Sequence, residues 1–170
     1  GASACVKAIM RYYGAEAPLA QMKLPGLPCD RVNNYARAVM KRYGCFDTRE
    51  TPVPLLRKIM SQRKGLILLA TGPLTNIAEL LKSPPDDISP LDGINLVKAS
   101  VAGMYSMAGC FDGGSPEWNV LQDIPSAQYV ARHCPVPAVF VPFEVGFRVL
   151  TGSPLRKVPD HPVWYAMKCF

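Results

Sequence analysis

Three short segments hold the polar groups best placed to do chemistry. Thr71-Gly72-Pro73-Leu74-Thr75-Asn76 is a tight turn between an apolar run and a helical pattern, and it leaves carbonyls and hydroxyls near a helix N-terminus. Met107-Ala108-Gly109 ends a second apolar run and leads to Ser115-Pro116-Glu117-Trp118-Asn119, where a carboxylate and an amide stand two residues apart. Phe143-Glu144-Val145-Gly146 follows a third run. Each segment offers oxygen acceptors and amide donors, the groups that grip a polar ligand. Each also comes directly after a candidate strand, and open α/β sheets bind ligands beyond the carboxyl ends of their strands.

The elements that must carry these segments follow from hydrophobic spacing. Cys5, Ala8, Ile9, Tyr12 and Tyr13 make one helical face ended by Gly14, and Leu19 to Met22 reads as a short strand. Val32, Tyr35, Ala36, Val39, Met40 and Tyr43 give a second helix closed by Gly44. Thr51-Pro52 opens a third, with Val53, Leu56, Ile59 and Met60 as its stripe. The unbroken run Leu66 to Ala70 predicts a central parallel strand buried on both faces. Helical spacing returns over Leu74 to Leu81, and Ser89-Pro90-Leu91-Asp92 has the form of a capping box for a helix through Val97. Gly103 to Ala108 is a second strand, Asp123 caps a helix to about His133, and Val136 to Phe143 is a third strand. Strands alternating with helices predict an α/β fold, Rossmann-like, with a mostly parallel sheet flanked by helices.

Composition narrows the function classes. With 170 residues, 49% hydrophobic and 19% charged, the chain can bury a core as one domain, which excludes a disordered or fibrous protein. No stretch approaches the roughly 20 uncharged apolar residues of a bilayer span, so no membrane partner is expected. The net charge of +6 is uneven: residues 1 to 64 hold twelve basic and four acidic side chains. Arg11, Arg31, Arg37, Lys41, Arg42, Arg57, Lys58, Arg63 and Lys64 fall mostly on the polar sides of amphipathic helices, so the excess reads as solvated surface and not as a nucleic-acid patch. The six cysteines at 5, 29, 45, 110, 134 and 169 show no zinc-ligand spacing and read as reduced, buried thiols.

The run Leu69-Ala70-Thr71-Gly72-Pro73-Leu74-Thr75-Asn76-Ile77-Ala78 closely resembles the central motif of the inosine-uridine-preferring nucleoside hydrolases. Met107-Ala108-Gly109, Glu117-Trp118-Asn119, Gln122-Asp123-Ile124-Pro125-Ser126-Ala127 and Val139 to Glu144 follow in the family's order, and Leu150-Thr151-Gly152 resembles its divergent branch. The resemblance runs from about residue 1 to 170. It implies hydrolysis of the N-glycosidic bond of a ribonucleoside, assisted by a calcium ion. It implies the Thr71 carbonyl as a calcium ligand, Glu117 and Asn119 on the ribose hydroxyls, and Met107 lining the sugar pocket. These residue types suit that reaction, since hard oxygens suit Ca²⁺ and a cation-like glycosidic transition state is stabilised by nearby carboxylates.

The departures from the family pattern are specific. Its aspartate cluster, which supplies the general base and most calcium ligands, falls before Gly1. Its last calcium-coordinating aspartate falls beyond Phe170. An asparagine expected shortly before the glutamate is replaced by the Phe111-Asp112 region. The expectation is therefore an interior fragment, 1–170, of one hydrolase domain, inactive alone, with no catalytic residue assigned in it. The alternative is a non-catalytic nucleoside- or sugar-binding module on the same scaffold. Assembly as a homo-oligomer is compatible with the resemblance, and the compartment is left between cytoplasm, which is favoured, and secretion. Asn76 reads as structural, tying its loop, and Trp118 as packing. His133 reads as a helix-end residue, Asp112 as a turn aspartate, Glu144 as at most a supporting group at a strand end, and His161 as part of a surface connection, not the leaving-group acid.

Overall fold

The structure, a computed structural model, describes residues 2–21, 33–44, 50–114 and 116–169. In chain order its described elements are α1 (Ala2–Tyr12), α2 (Asn34–Tyr43), α3 (Pro52–Gln62), β1 (Leu66–Ala70), α4 (Thr75–Lys82), α5 (Gly93–Ser100), β2 (Val101–Met107), α6 (Trp118–Gln122), α7 (Ile124–His133), β3 (Ala138–Val141), α8 (Phe143–Phe147), a 3-10 turn (Ser153–Lys157) and α9 (Pro162–Lys168). They form two compact units, one comprising residues 52–149 and the other the described residues before 52 and from 150 on.

The first of these units is the predicted α/β layer. Its three strands lie in the order β1-β2-β3, and both pairings are parallel. Leu66, Leu68, Met104 and Phe140 turn toward α3, α4, α5 and α7, where Met60, Leu74, Leu80, Leu96, Val97 and Val130 close the core. Strand period two puts alternate residues on opposite faces, and here the two faces differ. Leu69, Tyr105 and Val139 share one register row and all are exposed. The expectation of a central β1 buried on both faces is thus corrected. β1 lies at an edge of the described sheet, β2 takes the centre, and Ile67 and Leu69 are 53% and 73% exposed.

Local chemistry sets the element ends. Asn33 caps α2 through a side-chain bond from the Ala36 N–H, and Gly44 closes it with φ +93°, a left-handed value that favours glycine. The capping box expected at Ser89 is displaced: Asp92 is the N-cap of α5, accepting from the Asn95 N–H, while Ser89 pairs with Asp86 in the preceding turn. Gly93 then starts α5 against the end of α4, where a Cβ would overlap the Leu80 carbonyl. Asp123 caps α7 as expected. β3 is shorter than predicted because Pro137 and Pro142 flank it and neither can donate to a ladder. After Pro142 the chain turns at once into α8, so Phe143 and Glu144 are helical and not the end of a strand.

Arg57 overturns its assignment to a solvated helix face. It is 1% exposed, and its guanidinium donates to both Asp86 carboxylate oxygens at 2.8 Å, to Ser83 Oγ, and to the Ser89 and Leu91 carbonyls. A fork of fixed donors can fill all these acceptors at once, which is what lets a buried cation be tolerated. The Arg57 hydrogen bond holds the Asp86 carboxyl below its ordinary value, despite the opposing effect of desolvation.

In the helical unit α1 packs on α2 and α9. The face of α1 is rotated from the expected one: Ala4 and Ala8 are buried, while Tyr12 and Tyr13 are exposed. Residues 19–21 form no strand, and Met22 lies outside the described residues, as does Val32 at the start of the second predicted helix. The described cysteines Cys5, Cys110, Cys134 and Cys169 are free but only half-buried, which corrects their reading as buried thiols, and Cys29 and Cys45 lie outside the described residues. No helix among the described residues is long and apolar enough to cross a membrane.

Candidate functional site

The parallel sheet gathers the predicted site residues along one edge. Ala70 pairs with Ser106, Ser106 with Phe140, and Met107 with Val141. Thr71, which follows Ala70, and Met107 therefore stand side by side at the carboxyl edge, with Pro142 and Glu144 next along it. Thr71 is exposed in the turn between β1 and α4. That turn is secured by Thr75, whose hydroxyl donates to Asp123 Oδ2 at 2.7 Å and so ties α4 to the start of α7. Burial pushes the Asp123 carboxyl up, but the bonds from Thr75 and Ser126 and the charge of Lys82 outweigh it and hold it below the ordinary value.

Asn76 does not tie the loop as expected, because its Oδ1 is buried without a hydrogen-bond partner. Two other buried side-chain oxygens are in the same condition among the described residues, Ser106 Oγ and Glu144 Oε2. One lies in the first turn of α4, one near the end of β2 and one in the first turn of α8. Buried polar atoms in native proteins are nearly always paired, so these three orphans single out this part of the described structure as the candidate site.

Glu117 and Asn119 are brought together with Met107. Glu117 is buried and caps the short helix α6, its Oε1 accepting from the Asn119 N–H at 2.8 Å and its Oε2 from the Val120 N–H at 3.1 Å and the Gly109 N–H at 3.2 Å. Asn119 reaches back to β2, its amide nitrogen donating to the Met107 carbonyl at 3.0 Å. The same nitrogen lies 3.1 Å from Met107 Sδ. α6 itself was not foreseen, since five residues are too few to show a period. Trp118 between the two polar residues is 66% exposed, which corrects its reading as a packing residue: as the first residue of α6 its ring finds no core to enter.

Sequence reasoning also missed a grouping beside this edge. Cys110, Asp112 and Glu144 each present a donor atom within 4.8 Å of the others. Cys110 and Asp112 are visible as neighbours in sequence, but their meeting with Glu144 depends on the β2–β3 pairing. The two histidines lie elsewhere. His133 ends α7, stacked on Tyr129 with its Nδ1 on the Tyr129 carbonyl, as expected. His161 does not behave as part of a surface connection. It is 4% exposed and caps α9, its Nδ1 accepting from the Val163 N–H while Nε2 bonds the Tyr13 hydroxyl at 2.8 Å. An apolar cavity of about 410 Å³ in the helical unit, lined by residues including Cys5, Ile9, Tyr35, Val39, Val163 and Met167, contains none of the predicted site residues.

Calcium takes six to eight oxygen ligands. The Thr71 carbonyl and the unpartnered Asn76 Oδ1 are hard oxygens of the right kind, but fewer than such a shell needs. The described residues fit a calcium ion in chemistry and not in number. A family model described as inosine-uridine preferring nucleoside hydrolase matches residues 4–168. No curated protein matches the chain.

Proposed function

Because this chain belongs to the inosine-uridine preferring nucleoside hydrolase family, we propose that the carboxyl edge of its sheet holds a ribonucleoside whose N-glycosidic bond is hydrolysed to ribose and free base. The observation that supports the placement is the pair of unpartnered buried oxygens Asn76 Oδ1 and Ser106 Oγ, on α4 just beyond β1 and near the end of β2. A single domain spanning both units is part of the proposal.

Glu117 and Asn119 are the sugar contacts. A carboxylate has about four acceptor positions, and three at Glu117 are taken by backbone N–H groups. The remaining position accepts a ribose hydroxyl, and the three N–H bonds fix the carboxylate in place before the sugar arrives. Asn119 is fixed in the same way through Met107, leaving its Oδ1 for a second hydroxyl. Met107 packs against the apolar side of the ring. As positive charge develops on the sugar during cleavage, the fixed negative charge of Glu117 lowers its energy without any reorganisation. The Thr71 carbonyl is the ligand this chain offers to calcium, which when bound would activate a water.

Calorimetric titration of the chain with inosine and with uridine, with and without added Ca²⁺, tests the reading. It predicts saturable binding, weakened about tenfold when one good hydrogen bond to the sugar is removed in Asn119→Ala or Glu117→Gln. Absence of binding, or binding that both variants leave unchanged, contradicts it. Binding without ribose release would identify a non-catalytic module on the same scaffold.

A further inference from the structure

The loop leaving β2 assembles a second set of metal-binding side chains. Cys110 and Asp112 lie on that loop, and Glu144 meets them from the first turn of α8, so that one donor atom from each lies within 4.8 Å of the other two. We propose that Cys110, Asp112 and Glu144 bind one thiophilic divalent cation of the zinc class, distinct from any calcium bound at Thr71.

The backbone holds the cluster in place. Phe143 donates its N–H to the Gly109 carbonyl at 2.9 Å, Phe111 donates to Glu144 Oε1 at 2.9 Å, and Gly114 donates to Asp112 Oδ1 at 3.0 Å. Gly109 and Gly113 adopt φ values of +93° and +78°, which few other residues would accept, so the path of the loop is written into the sequence. A turn aspartate and a thiol bonded to it, Cys110 Sγ to Asp112 Oδ1 at 3.0 Å, would account for two of the three residues without any ion. They do not account for Glu144. Its Oε2 is buried and finds no donor among the described residues, a condition that costs free energy unless a cation or another donor supplies the partner. Arg148 contributes positive charge to Asp112, but it leaves that oxygen without a donor.

The donor set selects the ion. Calcium and magnesium take oxygen shells, whereas a thiolate beside carboxylates suits zinc and its neighbours. Tetrahedral zinc, with bonds of about 2.3 Å to sulfur and 2.0–2.2 Å to oxygen, sets ligand atoms about 3.4–3.6 Å apart. The Cys110–Asp112 separation of 3.0 Å and the outer limit of 4.8 Å bracket that spacing. Three protein ligands leave the fourth position to water.

The test is titration of the metal-free 170-residue chain with Co²⁺, followed by Zn²⁺ and Ca²⁺ in competition. The expected result is a near-ultraviolet sulfur-to-cobalt charge-transfer band that saturates at one ion per chain, is displaced by Zn²⁺ and is indifferent to excess Ca²⁺. Cys110→Ser removes the band. Glu144→Gln, which keeps an acceptor for the Phe111 N–H, weakens cobalt binding by at least about tenfold. A band that survives Cys110→Ser comes from another cysteine and overturns the assignment, as does wild-type protein with no saturable binding. Circular dichroism establishes that each variant is folded, and if Cys110→Ser is not, the wild-type and Glu144→Gln titrations decide. Nucleoside binding is not a readout, so failure here leaves the proposed hydrolase reading untouched.

Discussion

The side-chain amide of Asn119 donates to the main-chain carbonyl of Met107 at 3.0 Å, fastening the residue that follows Glu117-Trp118 to the last position of β2. Two residues separated by a loop are thereby held as one surface. Asn119→Ala removes this bond and is expected to cost about 1 kcal/mol of stability. Urea unfolding at neutral pH measures it. An unchanged midpoint would mean that α6 is held by the Glu117 cap alone.

Thr75 and Asp123 make the other connection under the site. Asp123 has a lowered carboxyl pKa in the folded chain, so the stability it confers is complete above its unfolded value of about 3.9. That contribution is lost as the pH falls through the lower folded value. Thr75→Val removes one of the bonds responsible for the lowering. The variant should be less stable by about 1.5 kcal/mol at pH 7, with the deficit shrinking below about pH 4. Denaturant unfolding at pH 7, 5 and 3 follows it, and a deficit independent of pH would contradict the coupling.

Arg57 anchors the turn between α4 and α5 from within the core. Replacing it by Leu leaves the Asp86 carboxylate without its strongest partners and the Leu91 carbonyl without its donor, with an expected loss of about 3 kcal/mol. Arg57→Lys cannot reproduce the two-pronged contact and should recover less than half of that loss. Recovery to wild-type stability by lysine would show that charge alone matters. Thermal unfolding of the three proteins separates the cases.

What the sequence disclosed and what it withheld divide along physical lines. β1, α4 and α7 were legible because their apolar runs and the Asp123 cap act over a few neighbouring residues. So was the position of Thr71 and Met107, since a parallel sheet puts successive strand ends on one edge. Arg57 was misread because its acceptors come from Ser83 to Leu91, and no local pattern shows that a helix's polar side will meet a turn so rich in carbonyls. Glu144 was placed at a strand end because an apolar run does not reveal where Pro142 ends the pairing. The exposed row of Leu69, Tyr105 and Val139 was unreadable for the same reason: an unbroken apolar strand does not say which of its faces is covered.

The most direct test of the account is ribose release from inosine and uridine, measured for the 170-residue chain and for the longest reading frame that contains it, with and without a calcium chelator. The reading frame is expected to release ribose, chelation to abolish the release, and Glu117→Gln to slow it by about 100-fold, the scale on which a fixed group facing developing charge contributes. Release that neither chelation nor Glu117→Gln affects, or no release from either nucleoside by either protein, would contradict it.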